Sequence, residues 1–244
     1  MLALALGLLA ACGREDSPPN GVPRGRPKEK GTRLLETGAQ ALQSFEPVAV
    51  IDTYLDGFHT LKDDPSHVME AHHFCRARNE EFTQCVIFDA NTANANLVGI
   101  EYIISERLFE SLPPEEQQLW HPHNYEILAG QLVAPGLPEV AEHAFLEKKM
   151  NSYGKTWHLW DTGAADQKTL PLGPAMLAWS FNADGELSKE LAAERDKRMN
   201  IDIAQKRASR KDLQGAARPQ RGVHALSHSF PGRAVPDYIK ERTE

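Results

Sequence analysis

A chain of 244 residues with 41% hydrophobic residues can build one core of ordinary size. Its net charge of −7 at pH 7 is unevenly spread: residues 34–194 hold 25 Asp and Glu against 9 Lys and Arg. So acidic a body repels phosphate backbones, which excludes nucleic acid as the main partner. The flanks are basic instead, with 6 basic against 3 acidic residues in 13–33 and 9 against 3 in 195–221.

Residues 2–11 form an apolar run of about half the length of a membrane-spanning helix. It suits the apolar region of a signal peptide, and it ends Leu9-Ala10-Ala11-Cys12. Small residues before a cysteine resemble the lipobox of bacterial lipoproteins. The resemblance implies cleavage of residues 1–11, acylation of Cys12, and a partner membrane in the cell envelope, at an outer membrane or a periplasmic face. Several acyl chains together would give stable attachment where one gives marginal binding. Residues 12–33, rich in Pro, Gly and charge, then read as a flexible tether.

Residues 34–45 have helical spacing, with Leu35, Ala39, Leu42 and Phe45 three or four apart. Residues 48–61 continue as a second helical stretch, weakened by Gly57. The period then changes: residues 67–75, 82–88 and 97–104 read as three strands of an antiparallel meander, with a polar turn at 76–81 and Asn91, Asn94 and Asn96 before the third. Ser105 can cap a helix through Leu108, Phe109 and Leu112, which Pro113-Pro114 interrupts. Residues 125–133 read as a strand, residues 138–150 as a helix opened by Pro138, and 155–160 and 177–181 as strands. Residues 186–200 form a charged helix on Leu187, Leu191 and Met199. Residues 204–244 read as a polar, basic, partly disordered tail. Strands and helices without βαβ alternation predict one α+β domain over residues 34–203, with a mostly antiparallel sheet flanked by helices.

Histidine carries the chemistry. The ten His include the pairs His72-His73 and His121-Pro122-His123. In a strand, His121 and His123 share a face and can present two imidazoles to one metal ion. The segment HPHNYEILAG is similar to the first metal motif of cupins, although Glu126 follows too soon for that pattern. His158 and either His72 or His73 can complete a site across the sheet, for zinc or another divalent transition metal. The alternative is a set of histidines serving polar needs at a core edge beside Trp120 and Tyr125. Cys75 and Cys85 would face each other across a hairpin, as a disulfide or as two buried thiols. Tyr102, Trp120, Tyr125, Trp157 and Trp160 are candidates to line an apolar pocket, with Trp179 near them. There is no G-x-S-x-G and no glycine-rich phosphate loop.

The stretches GAQALQSFEP (38–47), EAHHFC (70–75), QCVIFD (84–89), ANLVGIEYIISERLFESLPPEEQQLWHPHNYE (95–126), PGLPE (135–139), YGKTWHLW (153–160), LPLGPAMLAWSFNADGEL (170–187) and RDKRMNID (195–202) resemble, in collinear order, the oil body-associated protein family. That family is best known from plant seeds, with fungal and bacterial members. The resemblance implies a single domain and association with lipid bodies or membranes, and it brings no catalytic residues. Two functions follow as expectations. One is a lipid-anchored protein that binds a lipid surface or an apolar ligand without catalysis. The other is a metal-dependent, cupin-like enzyme centred on the histidines.

Overall fold

The structure, a computed structural model, describes residues 16–166 and 169–243. The expected signal peptide and Cys12 lie outside the described residues. Seven strands form one antiparallel sheet: β1 (Thr53–Leu61), β2 (Val68–Asn79), β3 (Phe82–Phe88), β4 (Leu97–Ile104), β5 (His121–Pro122), β6 (Tyr153–His158) and β7 (Met176–Trp179). The helices are α1 (Lys30–Leu42), α2 (Glu46–Ala49), α3 (Glu106–Glu110), α4 (Pro114–Gln117), α5 (Asn124–Leu128), α6 (Glu139–Glu147), α7 (Lys189–Met199) and α8 (Ile203–Ser209).

The meander of β2, β3 and β4 is present, but it is part of a ring. β4 pairs with β6 from Gly99↔His158 to Ile104↔Tyr153, β6 pairs with β7, and β7 returns to β1. Six strands therefore close a barrel, and β5 lies beside the start of β6. At Gly99 the closure is tight: a Cβ there would fall 2.6 Å from the carbonyl oxygen of Trp157. Only glycine lets the β4 and β6 backbones approach so closely.

Two segments differ from the expected type. Residues 48–61 are not a helix beyond α2; they become strand β1. Both faces of β1 are buried, with Leu55, Asp56, Phe58, His59 and Thr60 all 3% exposed or less. One face lines the barrel and α7 covers the other, which removes the apolar–polar alternation that would announce a strand. Residues 125–133 form α5 and a turn rather than a strand. Tyr125, Ile127 and Leu128 are buried on all sides of this one short helix, and a fully buried segment of that length carries no readable period.

The flanks also pack. Ser17 N–H donates to Asn91 Oδ1, Asn20 N–H to Asp89 Oδ2, and Asn96 Nδ2 to the Gly21 carbonyl, so residues 17–21 lie along the barrel instead of hanging free. Past α8, Leu213, Val223, Leu226 and Ile239 join the main core around Leu55, Tyr125, Ile127 and Phe181. Buried Arg210 donates to the Ile127 and Leu132 carbonyls at 2.7 and 2.8 Å. The C-terminal residues are held by these scattered apolar anchors and by backbone-directed polar groups, neither of which has a period to read. By contrast, α1 buries nothing.

Candidate functional site

Side chains alternate across a strand, and the register carries one face of each strand into the barrel. The pairings Leu55↔His73, His73↔Ile87, Ile87↔Gly99 and Gly99↔His158 lie on this inner face, as does Cys85↔Glu101. His59 follows Leu55 on the same face of β1. His121 enters from β5 opposite Gly154, and His123 enters from the N-terminal cap of α5. The result is a cluster in which His59, His73, Glu101, His121, His123 and His158 are all buried, at 0–3% exposure.

Glu101 is its centre. Its Oε1 lies 3.3 Å from His121 Nε2 and 3.4 Å from His123 Nε2, and its Oε2 lies 3.1 Å from His73 Nε2. His121 Nε2 and His123 Nε2 are 3.2 Å apart. His59 Nδ1 meets His158 Nε2 at 3.1 Å, and donor atoms of His59, Glu101 and His121 lie within 4.8 Å of one another. Glu126 stands 3.8 Å from His123. A void of about 10 Å³, enough for one ion or water, is lined by His59, His73, Glu101, His123 and Glu126.

Burial controls the charge states. It pushes His123 and His158 down to about 4, and it holds His59 well below the usual histidine range with help from the neighbouring His73. These imidazoles are neutral at pH 7, the form that binds metals. Burial alone would raise Glu101, but hydrogen bonds from His121, His123 and His73 outweigh it and keep the carboxyl well below its ordinary value. Glu126 moves the other way, raised well above the ordinary carboxylate range by burial and then by the charge of Glu101.

Of the sequence-derived candidates, His73, His121, His123, His158 and Glu126 converge here. His72 does not: adjacent to His73, it faces the other side of β2. There its Nδ1 lies 3.0 Å from Asp56 Oδ2 and its Nε2 3.4 Å from Glu70 Oε1. Asp56, Glu70 and His72 are a second group with metal-ligand spacing, but its carboxylates are already paired, Asp56 with Arg195 and Glu70 with Arg198. A cavity of about 510 Å³ adjoins this group, with Met69, Glu70, His72, His158, Trp160 and Arg198 in its walls.

The aromatic candidates do not assemble one pocket. Tyr125 packs in the main core and donates to Asp184, Trp120 packs with Ile104 and Phe109, and Trp160 packs with Ala71, Ile87 and Val98. Tyr102 stacks on Phe82, and Trp157 faces away from the barrel. Cys75 and Cys85 sit opposite each other on β2 and β3 and form a disulfide. Sequence reasoning missed His59 and Glu101. Glu101 had a signal: an acidic residue in line with Gly99 and Ile103, inward positions of an otherwise apolar strand. His59 had none, because its segment read as helical.

The fold and site together define a class: a closed, six-stranded antiparallel barrel, flanked by helices, with a histidine–carboxylate cluster sealed inside. It is not a cupin arrangement, since Glu126 lies on α5 rather than on a strand after His123. A family described as "Protein of unknown function (DUF1264)" matches residues 45–214. The chain is 39% identical to oil body-associated protein 1A of Zea mays over 89% of each chain. It is 40% identical to oil body-associated protein 1B of Arabidopsis thaliana, over 84% of this chain and 83% of that one. Protein 2A of Arabidopsis thaliana is 36% identical over 91% and 88%. No solved structure matches. The chain belongs to the oil body-associated protein family.

These relatives correct the expectation of an acylated protein of a bacterial envelope. They are plant proteins named for oil bodies, and they match this chain along nearly its whole length. The cysteines among the described residues, Cys75 and Cys85, are bonded to each other and offer no thiol for a lipid. No helix among the described residues is long and apolar enough to cross a membrane.

Proposed function

We propose that this chain is a binding protein of lipid surfaces, not an enzyme, and that α1 makes the contact. The observation that carries the reading is the exposure of an apolar stripe. Leu34, Leu35 and Leu42 of α1 are 74, 76 and 87% exposed, and Phe45 and Val48 just beyond it are 50 and 65% exposed. On a helix Leu34, Leu35, Gly38, Ala41 and Leu42 share one side, while Lys30, Arg33, Glu36, Thr37 and Gln40 share the other. A folded protein has no reason to hold such a stripe in water unless something covers it.

A helix of this kind lies in the plane of a lipid interface, with its apolar side in the acyl boundary. Burying one leucine there contributes about 2 kcal/mol. The acidic body is repelled by anionic headgroups, which favours neutral, zwitterionic surfaces. The names of the relatives, oil body-associated proteins, support the same reading.

Flotation of the full chain with triacylglycerol droplets coated in phosphatidylcholine tests it. The chain should float, and the Leu34→Ser/Leu35→Ser/Leu42→Ser variant should stay behind while melting as the parent does, because α1 supports no core. A parent that does not float, or a variant that floats equally, would overturn the proposal.

A further inference from the structure

We infer that the barrel interior is a site for one divalent transition-metal ion of the zinc class, held by Glu101, His121 and His123 with His59 as fourth donor. This is a second binding capacity, independent of α1. It rests on three geometric facts.

The first is spacing. Glu101 Oε1, His121 Nε2 and His123 Nε2 form a nearly equilateral triangle with sides of 3.2, 3.3 and 3.4 Å. Tetrahedral coordination with bonds of about 2.0–2.1 Å sets its donors roughly 3.3 Å apart. The three donors come from three separate elements, β4, β5 and the cap of α5, and meet at that spacing. Gly154 lets them converge: a Cβ there would fall 2.6 Å from His121 Nε2, 2.5 Å from His123 Nε2 and closer still to Glu101 Oε1.

The second is the tautomer of His123. Ser152 Oγ donates its single proton to the Lys149 carbonyl at 2.7 Å, so towards His123 Nδ1, at 2.8 Å, it can only accept. His123 Nδ1 therefore carries a proton, which leaves Nε2 as the atom able to give a lone pair to a metal beside Glu101 Oε1. A hydrogen-bonded partner on the far nitrogen is also how metal-binding histidines are usually oriented. The buried Nδ1 atoms of His73, His121 and His158 have no hydrogen-bond partner, so a closed network of hydrogen bonds does not account for the cluster.

The third is charge. Around Asp56 and Glu70, arginines balance the carboxylates. Among the described residues, the ion pairs of Glu101 are with histidines and no arginine or lysine. A buried carboxylate is costly unless it is paired, and a divalent ion supplies that pairing. Several imidazoles and one carboxylate suit zinc, iron, nickel or copper, and are too rich in nitrogen for calcium or magnesium. His158 links the centre to the 510 Å³ cavity, lining that cavity and meeting His59 at 3.1 Å.

The test is a cobalt(II) titration of the full chain, produced without a polyhistidine tag and stripped with a chelator. One equivalent should bind with the intense visible absorption of a tetrahedral site, zinc should displace it, and the melting temperature should rise. Glu101→Gln and His123→Gln should weaken binding by about 100-fold or more, and Ser152→Ala by about 10–100-fold. His72→Gln should bind as the parent does. Circular dichroism reports whether each variant folds, and the parent titration stands without them. A folded parent that takes up no cobalt and retains no zinc would overturn the inference. So would binding that survives Glu101→Gln but is lost in His72→Gln, which would place the ion in the outer group.

Discussion

Gly154→Ala is the smallest change that should damage the buried centre. The added methyl group would lie 2.5–2.6 Å from two imidazole nitrogens and closer to the Glu101 carboxylate. Carbon and nitrogen need about 3.4 Å, so His121 and His123 must each retreat by nearly 1 Å, in a core packed as densely as a crystal. Overpacking of this sort costs about 1–3 kcal/mol. Displacing the partners of a buried carboxylate adds to it, so we expect roughly 3 kcal/mol, or 6–12 °C in melting temperature for a chain of this size. Gly57→Ala is the matched control. On the same barrel, its methyl would meet the flexible end of Leu132 at 3.1 Å and Leu132 Cα at an ordinary 4.0 Å, and should change the melting point little. Thermal unfolding followed by circular dichroism measures both. A Gly154→Ala protein melting within 2 °C of Gly57→Ala would refute the claim that this backbone position is set by the convergence of the three donors.

Arg195→Met tests what fastens α7 to the barrel. Arg195 is fully buried, donates to Asp56 Oδ1 at 2.8 Å and to the Gln131 carbonyl at 3.1 Å, and lies 4.7 Å over the Phe58 ring. Removing one partner of a buried pair costs about 3–5 kcal/mol; a loss below 1 kcal/mol in urea unfolding would mean that Asp56 is satisfied without it. The same pair predicts a pH dependence. Burial opposes ionisation of Asp56, but the hydrogen bond from His72 and the charge of Arg195 outweigh it, so its carboxyl is lowered on folding. Its stabilisation is therefore present above about pH 4 and is lost as pH falls through the folded value. Asp56→Asn should be less stable than the parent at pH 7, with the gap narrowing below pH 4. A gap that stays constant from pH 7 to 3 would refute the assignment.

Part of the site was legible. His121 and His123 were readable as neighbours, but only His121 lies on a strand and His123 reaches the site from the cap of α5; the two-residue period of β2 meant that only one of His72 and His73 could join them. Which one depends on the face that the barrel encloses, and local pattern does not reveal that. His59 was hidden by β1, whose two buried faces erase the alternation on which strand recognition relies. The short helix α5 was hidden by the same physics. The closing pair, β4 with β6, joins residues about 50 positions apart and leaves no local trace. Although α1 starts at Lys30, inside the segment read as a tether, and ends at Leu42, its helical spacing was legible from Leu35, Ala39 and Leu42. Its exposure was not, because the same spacing serves a helix packed on a core.

Closure of the barrel has a consequence for molecules held at high density. Among the described residues, each of the six barrel strands has a strand neighbour on both sides. An open sheet held at high density on a surface presents unpaired backbone groups to its neighbours and invites templated fibre growth. Here the one sheet edge among the described strands is β5, only two residues long. Molecules can be concentrated side by side without their sheets recruiting one another, and any lateral association must use helices and loops.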